Sequence, residues 1–480
     1  MFFISYCGFI ELFYDFTMNT DTPILLLEIN EISWRILRRY LDQKKSPHLN
    51  AFFDEAKQYT SLTVDEGELS PWVVWPSIHR GMPNTKHKVF NLGQDPSTFQ
   101  GTPIWDEFLK RGKNIGVFGS MQSWPPKNPG TNGFYVADTF AHDSNCYPAY
   151  LKPLVEFNLK QVAKNNREVT GGPLAGALSF EFLGAVLKAK IRFRTLFALA
   201  KQLVREKFEP RITARRRIFQ TVLFWDIFRA LYNAKNPPAF STFFTNHAAG
   251  VMHRYWNEIF PEDFPKELRK EDNYHLQTMD FAMQVLDDMM ADVAEWRKEN
   301  PQLTIIFATG MGQDTVIRDK HNGFELTVHE PKKFMSVLGL KESEYKPLLA
   351  MAPQTAFEID DDDLRKKTKE LIVGLKMPSG ARLFSLQEEG KSLSLTILYE
   401  NKADCLAKKI RLPDGKECSF FQAGIKAWET DAGTAYHIPE GVFALVGPGA
   451  ETFAKTQKEP NIPADKIKEK IMAMGGLAAN

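Results

Sequence analysis

Apolar residues in this chain fall into short continuous runs separated by stretches of helical periodicity. The first run, Pro23-Ile-Leu-Leu-Leu-Glu-Ile-Asn30, comes after a turn-like Asp-Thr-Pro and reads as a strand buried on both faces. Asn114-Ile-Gly-Val-Phe-Gly119, Ala239-Phe-Ser-Thr-Phe-Phe-Thr245 and Leu303-Thr-Ile-Ile-Phe-Ala308 have the same character. Amphipathic spacing predicts helices from Ser33 to Leu41, around Pro47 to Lys57, over Ile104 to Lys110, and from Tyr274 to about Lys298. Pro76 suits the first turn of a helix, so one should start near Val74 or Trp75 and leave near Gly81. This alternation predicts an α/β fold, a doubly wound and mostly parallel sheet.

Two stretches depart from the alternation. From about Pro148 to Tyr232 the pattern is helical, with no convincing strand, and from about Pro331 to Asp431 helices mix with short β segments such as Ser392-Leu-Ser-Leu-Thr-Ile-Leu398. The expected layout is a tail (1–22), a first core part (23–147), a basic helical insertion (148–238), a second core part (239–330), a smaller α+β insertion (331–430) and a closing strand and helix (431–480). Between Phe180 and Arg217, Lys188, Lys190, Arg192, Arg194, Lys201, Arg205, Lys207, Arg211 and Arg215 to Arg217 face only Glu181, Glu206 and Glu209. Such a segment is a solvated helical face, a basic cap over an anionic substrate, or a surface for acidic lipid or polysaccharide.

Net charge changes the picture little. At +1 there is no whole-protein field to draw in nucleic acid, so no nucleic-acid partner is expected and any membrane contact must come from the local basic patch. Four dispersed cysteines, Cys7, Cys146, Cys405 and Cys418, form neither a zinc module nor a disulfide framework. A reducing, cytoplasmic setting is the simplest expectation. The apolar Met1 to Thr17 lacks the basic start and small-residue cleavage site of a signal peptide, and reads as a tail ahead of an alternative start at Met18.

Candidate chemistry gathers where parallel strands end, because open α/β sheets place ligands at that edge. Glu28, Asn30 and Glu31 end the first strand, Asn246 and His247 come after the strand at 239–245, and Gln313 and Asp314 after the one at 303–308. Asp138 lies in a loop beside the same edge, while Ser77 and Arg80 belong to the helix ending at Gly81. Each has a bland reading beside the functional one: Ser77 bonding its own backbone, Glu28 capping the next helix, His247 in an ordinary polar turn.

The order of landmarks resembles the alkaline phosphatase superfamily, nearest its type I phosphodiesterase/nucleotide pyrophosphatase branch. An acidic residue ends the first strand, and Pro71-Trp-Val-Val-Trp-Pro-Ser77 runs into a helix with His87 beyond it. A later strand leads to Met252-His-Arg-Tyr-Trp256, another to Gly310-Met-Gly312, and His437-Ile-Pro-Glu-Gly441 precedes a strand ending Gly447-Pro-Gly449. The resemblance implies a two-metal site with a Thr or Ser nucleophile at a helix N-terminus. It also implies uneven inheritance. Glu28 stands where the family has Asp, Val74 where it has the nucleophile, Thr309-Gly310 where it has an Asp-His pair, and Ala249 where it has another Asp. His253 and His437 survive, and His247 is a third imidazole nearby.

With those losses, the resemblance implies a remodelled site with at most one metal, zinc or another divalent ion, drawn from Glu28, His247, His253 and His437. Glu28, Ser77 and Asp314 are the candidate catalytic groups; Asn30, Arg80, Asp138 and Gln313 are candidate substrate contacts. The expected function is hydrolysis or transfer at a phosphate or sulfate ester. The competing expectation is a metal-free, non-catalytic relative that binds a phosphorylated or sugar ligand or a partner protein.

Overall fold

The computed structural model describes residues 22–67, 69–165, 180–269, 272–317, 324–348, 350, 354–398, 402–429 and 434–477. The tail, but for residue 22, and residues 166–179 of the helical stretch lie outside them. Seven strands in chain order, β1 (Ile24–Ile29), β2 (Lys57–Leu62), β3 (Ile115–Phe118), β4 (Phe134–Val136), β5 (Cys146–Tyr147), β6 (Phe240–Thr245) and β7 (Thr304–Ala308), join Glu440–Val446 and Asn461–Pro463 in one sheet. Its order is Asn461–Pro463, β2, Glu440–Val446, β7, β1, β6, β3, β4, β5. β1 is central and runs parallel to both β6 and β7, while Glu440–Val446 is antiparallel to β7 and β2.

Burial on both faces explains the apolar run of β1. Leu25, Leu27 and Ile29 enter the core on one face, with Trp256, Leu286 and Phe307; Ile24 and Leu26 enter the core on the other, with Trp75, Phe108 and Ile306. Helices cover both faces, so neither set of positions can be polar without a partner. Glu28 breaks the run, and its carboxylate is fully buried.

Three elements differ from the sequence expectation. The stretch around 47–57 holds a helix only to Glu55, and the chain turns directly into strand β2, which lies between Glu440–Val446 and Asn461–Pro463. The helix at 71–80 starts at Pro71, not near Val74, because Ser70 in extended conformation already accepts from the amides of Val73 and Val74. Pro76 therefore lies inside it, where it cannot donate to the carbonyl of Trp72. The stretch after Asn246, where a polar turn at His247 is one reading, runs straight on into the helix Ala249–Ile259, so His253 is held by helical geometry.

Residues 148–238 contain helices Lys152–Asn165, Phe180–Lys188, Phe193–Phe208 and Arg216–Leu231, and among the described residues no strand. Residues 331–429 enclose a separate apolar core around Phe334, Phe357, Leu393 and Leu395, beside a four-stranded antiparallel sheet. Among the described residues, no helix is long and apolar enough to cross a membrane.

Candidate metal centre

Three neighbouring chain segments converge at the C-terminal ends of β1, β6 and β7. Asn30 and Glu31 leave β1 with their amides donating to the carbonyls of Thr245 and Thr309, each 3.0 Å away, which ties the turn to both flanking strands. Glu31 has φ of 67°, a left-handed conformation that side-chain-bearing residues rarely adopt and that costs of order 1 kcal/mol. The helix Ala249–Ile259 carries His253. The third group, His437, comes from Ala435–Ile438, which pairs antiparallel with Gly312–Thr315 in a register that sets His437 opposite Gln313.

One oxygen sits at the focus. Glu31 Oε2 lies 3.1 Å from His253 Nε2 and 3.3 Å from His437 Nε2. On their far sides both rings bond backbone carbonyls: His253 Nδ1 at 2.9 Å from Ala435 O and His437 Nδ1 at 2.7 Å from Leu69 O. A carbonyl only accepts, so both Nδ1 atoms carry hydrogen. In a neutral ring this leaves an Nε2 lone pair, and two such lone pairs would point at one carboxylate oxygen. Either both rings are charged or a cation belongs among the three atoms.

The donor set fits such a cation. The ligand atoms all lie within 4.8 Å of one another. A tetrahedral zinc site with bonds of about 2.0–2.1 Å has ligand–ligand edges of about 3.3–3.4 Å, close to the separations between Glu31 and the two rings. An imidazole donating its second N–H to a backbone carbonyl is the support that metal-bound histidines receive. Glu31 is almost wholly buried and His437 nearly so, whereas 29% of the His253 side chain is exposed, so the site opens on the His253 side. Burial pushes the Glu31 carboxyl up, but His437 and His253 more than offset it and hold it well below the ordinary carboxylate range.

Asn30 and Gln313 fix that carboxylate. Asn30 Nδ2 donates to Glu31 Oε1 at 2.6 Å and to Asn246 Oδ1 at 2.8 Å, while its Oδ1 accepts from Trp75 Nε1 at 2.8 Å. Gln313 Nε2 donates to Glu31 Oε2 and, at 3.2 Å, to the carbonyl of Ala249, two acceptors that set the orientation of its amide.

The other candidates lie elsewhere. Glu28 points to the opposite core, where Oε1 is 2.7 Å from His79 Nε2, and both side chains are buried. The carboxylate that could join His253 and His437 around a metal is therefore Glu31, three residues further on, and Glu28 is outside the cluster. His247 spends both ring nitrogens on Thr245 Oγ1 at 2.9 Å and Ala282 O at 3.1 Å, and burial pushes it down to about 4. It contributes nothing to the cluster.

Ser77 is fully buried; its hydroxyl bonds Asp65 Oδ1 at 2.6 Å and His87 Nε2 at 2.8 Å. His87 Nδ1 accepts from the Val89 amide, so Nε2 carries the hydrogen and the ring is a donor to Ser77, the reverse of a general base. Arg80 holds the carbonyls of Gln100 and Gly101 and stacks over Phe99. Asp138 accepts from the amides of Ser123 and Phe140, and burial pushes it up to about 6. Asp314 pairs with Arg35 at 2.9 Å, beside Asp263. Val74 and Thr309 are buried; the Thr309 hydroxyl accepts from the Val442 amide.

Sequence reasoning placed Glu31 among residues that line a cleft, not among the ligands. The signal was the compact Glu28-Ile-Asn-Glu31 cluster. Alternation distinguishes its members: position 28 is still inside the strand, and only after the strand ends can a side chain turn across the sheet edge.

No protein-family model matches the chain, and no curated protein matches it. Among solved structures, it is similar to murine ectonucleotide pyrophosphatase/phosphodiesterase 5 at 10% identity and TM-score 0.42, over 95% of this chain and 96% of that one. The human ectonucleotide pyrophosphatase/phosphodiesterase 5 is similar at 8% identity and TM-score 0.44, over 95% and 96%. Phosphonoacetate hydrolase from Sinorhizobium meliloti 1021, in complex with phosphonoformate, is similar at 11% identity and TM-score 0.43, over 96% of each chain. Likeness this loose leaves the chemistry to be read from the chain's own residues.

Proposed function

We propose that the chain holds one divalent cation, zinc by preference, on Glu31, His253 and His437 and hydrolyses a phosphate or related anionic ester beside it. The observation that carries this reading is the pair of imidazoles whose Nδ1 hydrogens are committed to carbonyls while both Nε2 atoms meet one buried carboxylate. Bound there, a zinc ion would polarise an ester oxygen and lower the pKa of a water. Glu31 brings the negative charge, Asn30 and Gln313 keep its two oxygens in place, and the exposed edge of His253 leaves an approach for a ligand. The segment Pro71–Arg80 supplies no nucleophile, since Val74 is apolar and Ser77 is locked between Asp65 and His87. Water is then the attacking group.

One observation favours a second reading, a non-catalytic relative that binds a phosphorylated or sugar ligand or a partner protein. Val74 and Thr309 are packed into the core at the positions where the resemblance expects a nucleophile and a ligand. Elemental mass spectrometry of the purified protein, alongside hydrolysis of nitrophenyl phosphate mono- and diesters, decides. Roughly one ion per chain, lost together with turnover in His253→Ala and His437→Ala, supports the hydrolase. A bound ion without turnover selects the binding protein. No ion after growth with zinc and manganese sinks the metal site itself.

A further inference from the structure

The helix Phe193–Phe208 is inside out. Its two buried side chains are Thr195 and Gln202, with 2% and 5% exposure, and Gln202 donates to Ile212 O and Glu206 Oε1 at 2.9 Å each. Its large apolar side chains face solvent instead: Phe193 is 82% exposed, Phe197 64%, Val204 56% and Phe208 84%. At about 100° per residue, these four fall within one quadrant of the helix, opposite Thr195 and Gln202. Soluble proteins rarely leave so wide an apolar stripe uncovered. The preceding helix, Phe180–Lys188, adds Leu183 and Leu187 at i and i+4, with Leu187 78% exposed.

Charge identifies the occupant. Arg194, Lys201, Arg205 and Lys207 flank the stripe and are exposed, as are Lys188 and Lys190 before it. The nearby acids are outnumbered: Glu206 is turned inward onto Arg216 at 2.6 Å, Glu209 pairs with Arg205 at 3.1 Å, and exposed Glu181 stands against Lys188, Lys190, Arg194, Lys201 and Lys207. We propose that this face docks on an anionic lipid surface, with the aromatic stripe at the acyl boundary and the cations among the headgroups. That is the composition of an interfacial helix: aromatic and aliphatic groups on one side, cations at its rim, and, among the described residues, no helix long and apolar enough to cross. A second copy of the chain is a poorer occupant, because a two-fold contact on this stripe would set identical cations against each other.

The test is co-sedimentation of the full-length protein with vesicles of phosphatidylcholine alone and of phosphatidylcholine containing phosphatidylglycerol. Binding should appear on the anionic vesicles, weaken with salt, and fall about tenfold or more in Phe193→Ser/Phe197→Ser/Phe208→Ser and in Arg194→Glu/Lys201→Glu. The altered side chains are exposed, so circular dichroism and bound zinc should not change. Absence of binding to anionic vesicles, or binding equal to the native protein's in both variants, overturns the inference. A dimer seen by light scattering and broken by the serine variant, with no vesicle binding, overturns it in favour of self-association.

Discussion

Glu31→Gln isolates the charge at the candidate metal centre with almost no change of volume. Glutamine keeps an oxygen for Asn30 and fits the same left-handed turn, so local packing is preserved. What goes is the only anion among the three ligand atoms. Loss of an outer-sphere partner of a metal ligand typically costs 10–100-fold in affinity, so loss of a ligand should reach at least the upper end. That is about 100-fold, or about 2.7 kcal/mol. Asn30→Ala, which leaves Glu31 but releases its Oε1, should fall about tenfold. His247→Phe, which touches no ligand atom, should leave zinc affinity unchanged. Competition with a chromophoric zinc chelator at constant pH measures all three. Equal zinc affinity in native protein and Glu31→Gln would refute the reasoning, as would an effect of His247→Phe as large as that of Glu31→Gln.

Glu31 also sets a pH limit. Its folded pKa is depressed, so its contribution to stability is present above the ordinary carboxylate range and is lost as pH falls through the lower folded value; acid unfolding followed by fluorescence should show Glu31→Gln losing this contribution at neutral pH. His79→Ala leaves the buried Glu28 carboxyl without its 2.7 Å hydrogen-bond partner and should cost about 1–3 kcal/mol in denaturant unfolding, whereas Glu28→Leu/His79→Leu should be milder; a double variant as unstable as the single would contradict this. Asp138 is the opposite case to Glu31. With its folded pKa raised to about 6, stability present below the unfolded value near 3.9 is lost as pH rises to about 6, by up to roughly 3 kcal/mol, and Asp138→Asn should flatten that part of the profile. Ser77→Ala should leave any ester turnover intact while lowering stability by about 1–3 kcal/mol, and loss of turnover in a folded variant would restore Ser77 as a catalytic group.

By itself the sequence determined the sheet-forming runs, the sheet edge at which polar residues collect, and two of the three residues of the candidate cluster. Those features are local: an apolar run such as 24–29 excludes water on both faces wherever it is placed, and Met252-His-Arg-Tyr-Trp256 and Tyr436-His-Ile-Pro439 are short motifs. Which carboxylate joins His253 and His437 was not local. Glu28 and Glu31 are chemically alike and three residues apart, yet one ends in the core against His79 and the other at the edge. The choice depends on where β1 stops, and that is fixed by the amide bonds of Asn30 and Glu31 to Thr245 and Thr309 on strands far along the chain. Tertiary structure likewise committed both ring nitrogens of His247 to a hydroxyl and a carbonyl, and turned the apolar face of Phe193–Phe208 outward. Helical periodicity reveals that a helix has two faces; only packing against the rest of the chain decides which face meets the core.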